Sequence, residues 1–222
     1  MFGRIAGRYD LLNTLMTGGL DEPWRRQAVR AARPPRAGRA LDLGTGTAKL
    51  ALALARAMPN GNVVGVDVAA PMLVQGLSAT RQDASGSRVH LALADGLALP
   101  FPNDTFDCAT TAFVIRNVAD VRAAFAELGR VVKPGGNVVC LELTPIQVPL
   151  WRALFGLYFG RVVPILGRLV AGDDEAYAYL PDSVAAFLRP EALAAEMAGA
   201  GLHRVRWRRL GLGTVTLHVG TV

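Results

Sequence analysis

Leu41-Asp42-Leu43-Gly44-Thr45-Gly46-Thr47-Ala48-Lys49 joins an apolar run, Arg39–Gly44, to an Ala/Leu-rich stretch that ends near Met58. The run reads as a buried strand, the glycines as a tight turn, and the following stretch as a helix. In a doubly wound sheet such a turn faces the crevice where ligands bind. Gly44 and Gly46 let backbone N–H groups approach a ligand closely. A dinucleotide fingerprint needs a third glycine at position 49, where helix, strand and pyrophosphate crowd together. Lys49 stands there, which disfavours a dinucleotide. Asp67 closes the next apolar run, Asn62–Asp67, where a carboxylate accepts hydrogen bonds from two ribose hydroxyls. Asp95-Gly96 closes the third, Arg88–Asp95, where a carboxyl meets an adenine amino group. Three polar strand ends on one rim, in this order, point to S-adenosylmethionine.

Outward from the turn, strand and helix alternate. Pro71 opens a helix with Met72, Leu73 and Leu77 on one face. Phe106–Val114 is a fourth strand. Asp120 caps a helix carrying Val121, Ala124, Phe125, Leu128 and Val131, which stops at Lys133-Pro134-Gly135-Gly136. Asn137–Leu143 is a fifth strand. Continuously apolar strands alternating with helices predict a parallel sheet covered on both faces. Pro190–Gly199 reads as a helix, and residues 203–210 and 214–220 as a terminal hairpin over Gly211–Gly213. The chain reads as one domain: N-terminal lid helices over 1–35, a core over 36–145, a helical insertion over 145–190, and a C-terminal helix and hairpin over 191–222.

Of the 222 residues, 51% are apolar and 19% charged, which excludes disorder. Cys108 and Cys140 are the two cysteines, too few for a disulfide framework, and no Cys/His cluster suggests a metal. Both fall inside predicted strands, as core thiols do, and fit a reducing compartment. The net charge of +6 rests on arginine, with Lys49 and Lys133 the two lysines. Arg204, Arg206 and Arg208 alternate with Val205 and Trp207, as on a half-exposed strand. Phe113–Asn117 follows the fourth strand where a nucleic-acid methyltransferase carries N-P-P-Y or a Pro-Cys nucleophile, so no nucleic-acid partner is expected. No apolar leader opens the chain, and a cytoplasmic location is expected. Val148–Ala171 is the stretch most like a membrane span. Its Arg152, Arg161 and Arg168, at roughly 2.5–3.5 kcal/mol each near a bilayer centre, oppose insertion. Leu150, Leu154, Leu157 and Tyr158 form a stripe beside them, as in an amphipathic helix. Peripheral membrane contact at the inner face, and entry of an apolar tail, are the expectations there; simple closure of the core is the other reading.

Longer motifs carry a resemblance. They are F-x-x-I-A-x-x-Y-D-x-x-N at Phe2–Asn13, Trp24-Arg25, L-D-L-x-x-G-T at Leu41–Thr47 and A-L-P-F-P-N-D-T-F-D at Ala98–Asp107. Arg116-Asn117-Val118, R-V-x-K-P-G-G at Arg130–Gly136, Y-x-Y-L-x-x-S at Tyr177–Ser183 and V-x-L-H-x-G at Val215–Gly220 complete them. In these the chain resembles the ubiquinone/menaquinone biosynthesis C-methyltransferases. The resemblance implies an α/β fold of the Rossmann-like, class I S-adenosylmethionine-dependent methyltransferase type, a doubly wound, mostly parallel seven-stranded sheet. It implies cofactor contacts from Thr47, Asp67, Asp95 and Gly96, and a prenylated quinol as substrate: demethylmenaquinol, or a methoxy-benzoquinol on the ubiquinone route. The chain departs from the family pattern at Ala48-Lys49, where Gly-Asp is usual, at Ala112 in place of a small hydroxyl residue, and at Val219 in place of Arg. Another small-molecule methyltransferase, or a non-catalytic cofactor- or lipid-binding protein, is the alternative. A homodimer is compatible with the sequence.

Carbon methylation of a quinol needs alignment and electron density on the ring carbon. Arg116, after the fourth strand, is expected to face the crevice. A guanidinium is a poor base and a good phenolate stabiliser. Asn117 would orient the hydroxyl. Tyr177, Asp10, His218 and a bound water are the candidates for taking the proton. Tyr9 and Asp10 either close a lid or pack the first helix on the domain.

Overall fold

A computed structural model describes residue 14, residues 16–145 and residues 183–222. Tyr9, Asp10, Tyr177 and the stretch Val148–Ala171 lie outside the described residues. The described elements, in chain order, are α1 (Asp21–Ala32), β1 (Arg39–Leu43), α2 (Lys49–Ala57), β2 (Asn62–Asp67), α3 (Ala70–Gln82), β3 (Val89–Leu93), β4 (Phe106–Ala112), α4 (Val121–Val131), β5 (Val132–Leu143), α5 (Pro190–Gly199), β6 (His203–Leu210) and β7 (Val215–Thr221).

Successive strand residues point to opposite faces, so a strand buried on both sides feeds two cores. Ala40 packs into one and Leu41 into the other. Val139 and Leu141 join the first, with Trp24 and Val29 of α1 and Leu50 to Ala55 of α2. Val138 and Cys140 join the second, with Phe125 and Leu128 of α4 and Leu193 and Met197 of α5. Each of these large apolar side chains stabilises the fold by roughly 1.5–3 kcal/mol through burial. That two-sided demand explains the unbroken apolar runs. The sheet has seven strands in the order β3-β2-β1-β4-β5-β7-β6. β1 to β5 run parallel to one another, while β7 runs antiparallel to both β5 and β6. The reversal of direction from β1 outward, to β2 and β3 on one side and to β4 on the other, opens a crevice at the C-terminal strand ends.

Asp120 caps α4 as expected, its carboxylate accepting from the Ala123 N–H at 2.9 Å. Three elements differ from the sequence reading. β5 begins at Val132, not Asn137. The Lys133–Gly136 stretch bulges out of register with β4, Gly135 taking a φ of +84°, yet it stays in the sheet because the chain end pairs with it, Gly135 N–H donating to the Val222 carbonyl at 2.8 Å and Val222 N–H to the Gly136 carbonyl at 3.0 Å. β4 stops at Ala112, since Phe113 adopts a left-handed φ of 61° that no strand tolerates. Leu77 is exposed rather than packed with Met72 and Leu73. Arg204, Arg206 and Arg208 are exposed while Val205 and Trp207 are half-buried, the alternation read from the sequence. Both cysteines are buried, and burial pushes the Cys108 thiol up to about 12, which keeps it protonated and inert. Among the described residues no helix is long and apolar enough to cross a membrane.

Candidate functional site

The crevice holds a cavity of about 340 Å³ bordered by the ends of β1 to β4. Its floor is the turn after β1. Gly44 and Gly46 have φ of +66° and +54°, conformations that side chains disfavour. A Cβ at Gly44 would overlap the Val114 side chain, and one at Gly46 would stand 3.3 Å from Met72 Cε. The turn therefore favours glycine at both positions for conformation, and at Gly44 for space as well. Below it, Asp42 is 1% exposed and accepts hydrogen bonds from the Thr45 and Thr110 hydroxyls, each at 2.8 Å. It ties the turn to β4. Burial raises the Asp42 carboxyl to about 6, with the two hydroxyls working against that rise.

Ala48, the third residue of left-handed φ in this turn, sits at 67° immediately before α2. A non-glycine residue there costs about 1–2 kcal/mol. Ala48→Gly should therefore raise the unfolding free energy by about 0.5–1 kcal/mol, the backbone relief outweighing a lost methyl contact and the added freedom of glycine in the unfolded chain. Urea unfolding reads this as a higher midpoint. A midpoint that stays or falls would show that the buried Cβ matters more than the strain.

Asp67 hangs over the turn from the end of β2. Its Oδ2 accepts from the Gly46 N–H and its Oδ1 from the Ala69 N–H, both at 2.9 Å. Asp67 lines the cavity, and each of its oxygens has capacity to accept a further hydrogen bond. Asp95 lines the next stretch of wall, its Oδ1 accepting from the Leu97 N–H at 2.9 Å. A Cβ at Gly96 would come within 2.9 Å of Leu43 Cδ1, so the backbone there reaches the cavity only because no side chain intervenes. Thr47, Ala112 and Asn117 complete the predicted residues on the wall. Two carboxylates on neighbouring strand ends and a side-chain-free backbone at the third suit an adenosyl group.

Arg116 occupies a different place from the one expected of it. It is not on the cavity wall; its guanidinium lies behind, 4% exposed, with Nη1 2.7 Å from Glu142 Oε1, where Glu142 is 0% exposed. The same Nη1 donates to the Phe113 carbonyl at 2.7 Å. Glu142 also accepts from the backbone N–H groups of Arg116, at 3.3 Å, and Leu143, at 2.8 Å. The cause is local: the strained Phe113 turns the chain so that the next residues form a short 3-10 turn, Ile115–Asn117, with Asn117 toward the cavity and Arg116 toward β5. His218 is likewise misplaced by the sequence reading. It is fully buried on β7, donates from Nε2 to the Pro190 carbonyl at 2.9 Å and stacks on Trp207. Burial lowers its pKa, and it is absent from the cavity wall.

Arg25 and Lys49 are cavity residues that the sequence reading missed as site residues. Arg25 projects from α1 and lies over the Phe113 ring, 5.4 Å from its centroid. The Trp24-Arg25 pair was visible as a motif, but nothing in its spacing tells which strand ends α1 crosses.

The whole chain, residues 1–222, matches the model of the ubiE/COQ5 methyltransferase family. It is 46% identical over 220 residues to a Roseiflexus castenholzii protein named demethylmenaquinone methyltransferase, covering 99% of this chain and 91% of that one. A Thermus thermophilus protein of the same name is 48% identical over 220 residues, with 99% of each chain covered. Among solved structures, the methyltransferase bound to the Haloferax volcanii Trm112 activator superposes with a TM-score of 0.70 at 17% identity, covering 100% of this chain and 97% of that one. Two-strand-end carboxylates, the glycine turn and the reversed β7 are thus the frame of a class I S-adenosylmethionine-dependent methyltransferase, and the chain belongs to the ubiE/COQ5 family.

Proposed function

We propose that this methyltransferase acts on a ring carbon of a prenylated quinol, converting demethylmenaquinol to menaquinol. The observation that carries the substrate is the end-to-end similarity to the two relatives of that name. Bound in the cavity, S-adenosylmethionine supplies a methyl group already electrophilic on its sulfonium. The chain's own residues have the remaining work. Asp67 holds the ribose hydroxyls and Asp95 the adenine edge, which fixes the methyl group in line with the acceptor. Asn117 orients a quinol hydroxyl whose lost proton enriches the carbon ortho to it. That carbon would gain a C–CH3 bond as the S–CH3 bond breaks and S-adenosylhomocysteine is left, and its own proton would pass to solvent as the aromatic ring is restored, one proton being released per methyl group transferred. α1 roofs the cavity and keeps water from competing. Arg116 is a positioning residue in this reading, holding the turn that presents Asn117 and Phe113.

The test is turnover of methyl-labelled S-adenosylmethionine with a short-chain demethylmenaquinol, kept reduced, against a short-chain methoxy-benzoquinol. Label in the menaquinol ring is expected, with at least tenfold higher kcat/KM than for the benzoquinol. Label in the benzoquinol alone, or in neither, would overturn the substrate.

A further inference from the structure

Arg25 presents a charge in an unusual condition. Its side chain is 10% exposed and lines the cavity. Among the described residues its guanidinium makes no hydrogen bond, and Nε is buried without a partner. The nearest carboxylate oxygen, Asp21 Oδ2, is 3.8 Å from that nitrogen, beyond hydrogen-bond range. The same oxygen lies 3.8 Å from Lys49 Nζ and so serves two cations. The other contact is the Phe113 ring, a weak substitute for an acceptor. A guanidinium offers five donors in a planar fork that matches a carboxylate. Burying it without acceptors costs several kcal/mol, so a partner is missing from the pairing.

The strand order says where that partner comes from. Across the cavity the strand ends run β3, β2, β1, β4. Asp95 follows β3, Asp67 ends β2, the glycine turn follows β1, and Phe113 follows β4. A ligand with its adenine at Asp95 and its ribose at Asp67 extends across the glycine turn toward Phe113. Its amino-acid tail then ends beneath Arg25. We infer that Arg25 binds the α-carboxylate of S-adenosylmethionine through its guanidinium fork. The inference rests on the cofactor reading and adds to it a residue that senses one end of the ligand.

The experiment is calorimetric titration of the full chain at neutral pH with two ligands. One is S-adenosylmethionine. The other is its decarboxylated form, which keeps adenosine, sulfonium and amine and lacks the carboxylate. Wild type should bind the first about 10- to 100-fold more tightly. Arg25→Gln should lose that much affinity for S-adenosylmethionine and bind the decarboxylated compound within about twofold of wild type. Arg25→Lys, which keeps the charge without the fork, should fall between. The comparison of the two ligands on wild type needs no variant and so survives a variant that fails to fold. Absence of a preference in wild type, or equal losses for both ligands in Arg25→Gln, would overturn the assignment. Binding of neither ligand by wild type would overturn the cofactor reading and the role of Arg25 with it.

Discussion

Glu142→Ala is expected to lower the unfolding free energy by about 3–5 kcal/mol, the range for breaking one side of a buried ion pair. The reason lies in what remains. Arg116 would keep its charge at 4% exposure with the Glu142 carboxylate removed, and the Arg116 and Leu143 N–H groups would lose the Glu142 acceptor. Arg116→Ala removes the charge with the pair, yet strands Glu142, so it should cost a comparable amount. The double change Arg116→Met with Glu142→Leu should restore most of the stability, because apolar residues of similar volume replace a buried pair at little net cost. Activity should not return with it. Nη1 also holds the Phe113 carbonyl, and Phe113 is kept at a φ of 61° against its preference. Released, that turn relaxes and Asn117 leaves the wall. Chemical denaturation with steady-state kinetics separates the outcomes. A double variant that regains both stability and kcat would show that the pair positions nothing.

The same turn shows where the sequence stops being informative. The apolar runs of β1, β2 and β7 were legible because both faces of each strand are largely buried, so the signal is the run itself, whereas β6, exposed on one face, was legible by its alternation. Asp67, Asp95 and the glycines were legible because a strand end fixes where its next residue points. Arg116 was read by that same rule and lies off the wall. One residue in an uncommon backbone region, Phe113, swings the chain between the strand end and Arg116, and nothing in the type of residue 113 announces it. His218 failed for another reason. It sits in a strand whose neighbours are buried on both sides, and a buried imidazole held through Nε2 by a carbonyl looks in sequence like one awaiting a proton. Arg25 was hidden by distance, its helix meeting Phe113 through tertiary packing.

Asp67→Ala is expected to weaken S-adenosylmethionine by about 2–4 kcal/mol, or roughly 30- to 700-fold, through loss of two charge-assisted hydrogen bonds to the ribose. The carboxylate has a second task that complicates the simple comparison. It accepts from Gly46 and Ala69, so its removal also frees one N–H group of the turn at the cavity floor and one of the segment after β2. A looser turn would weaken any ligand, with or without ribose hydroxyls. S-adenosylhomocysteine and its 2′-deoxy analogue tell the two effects apart. In wild type the deoxy compound should bind more weakly, since one acceptor oxygen of Asp67 is left facing a hydrogen. In Asp67→Ala that difference should vanish, because no carboxylate remains to sense the hydroxyl. The coupling between side chain and hydroxyl, read by calorimetry, is the quantity that matters; the overall drop is not. If Asp67→Ala weakens both compounds by the same factor and preserves their ratio, Asp67 builds the turn and leaves the ribose to other groups. The two oxygens, each with one backbone partner and room to accept again at the cavity that Asp67 lines, argue for the first outcome. The Gly46 and Ala69 N–H groups fix the carboxylate's orientation before any ligand arrives, so the ribose meets acceptors already in place and little ordering remains to be done on binding.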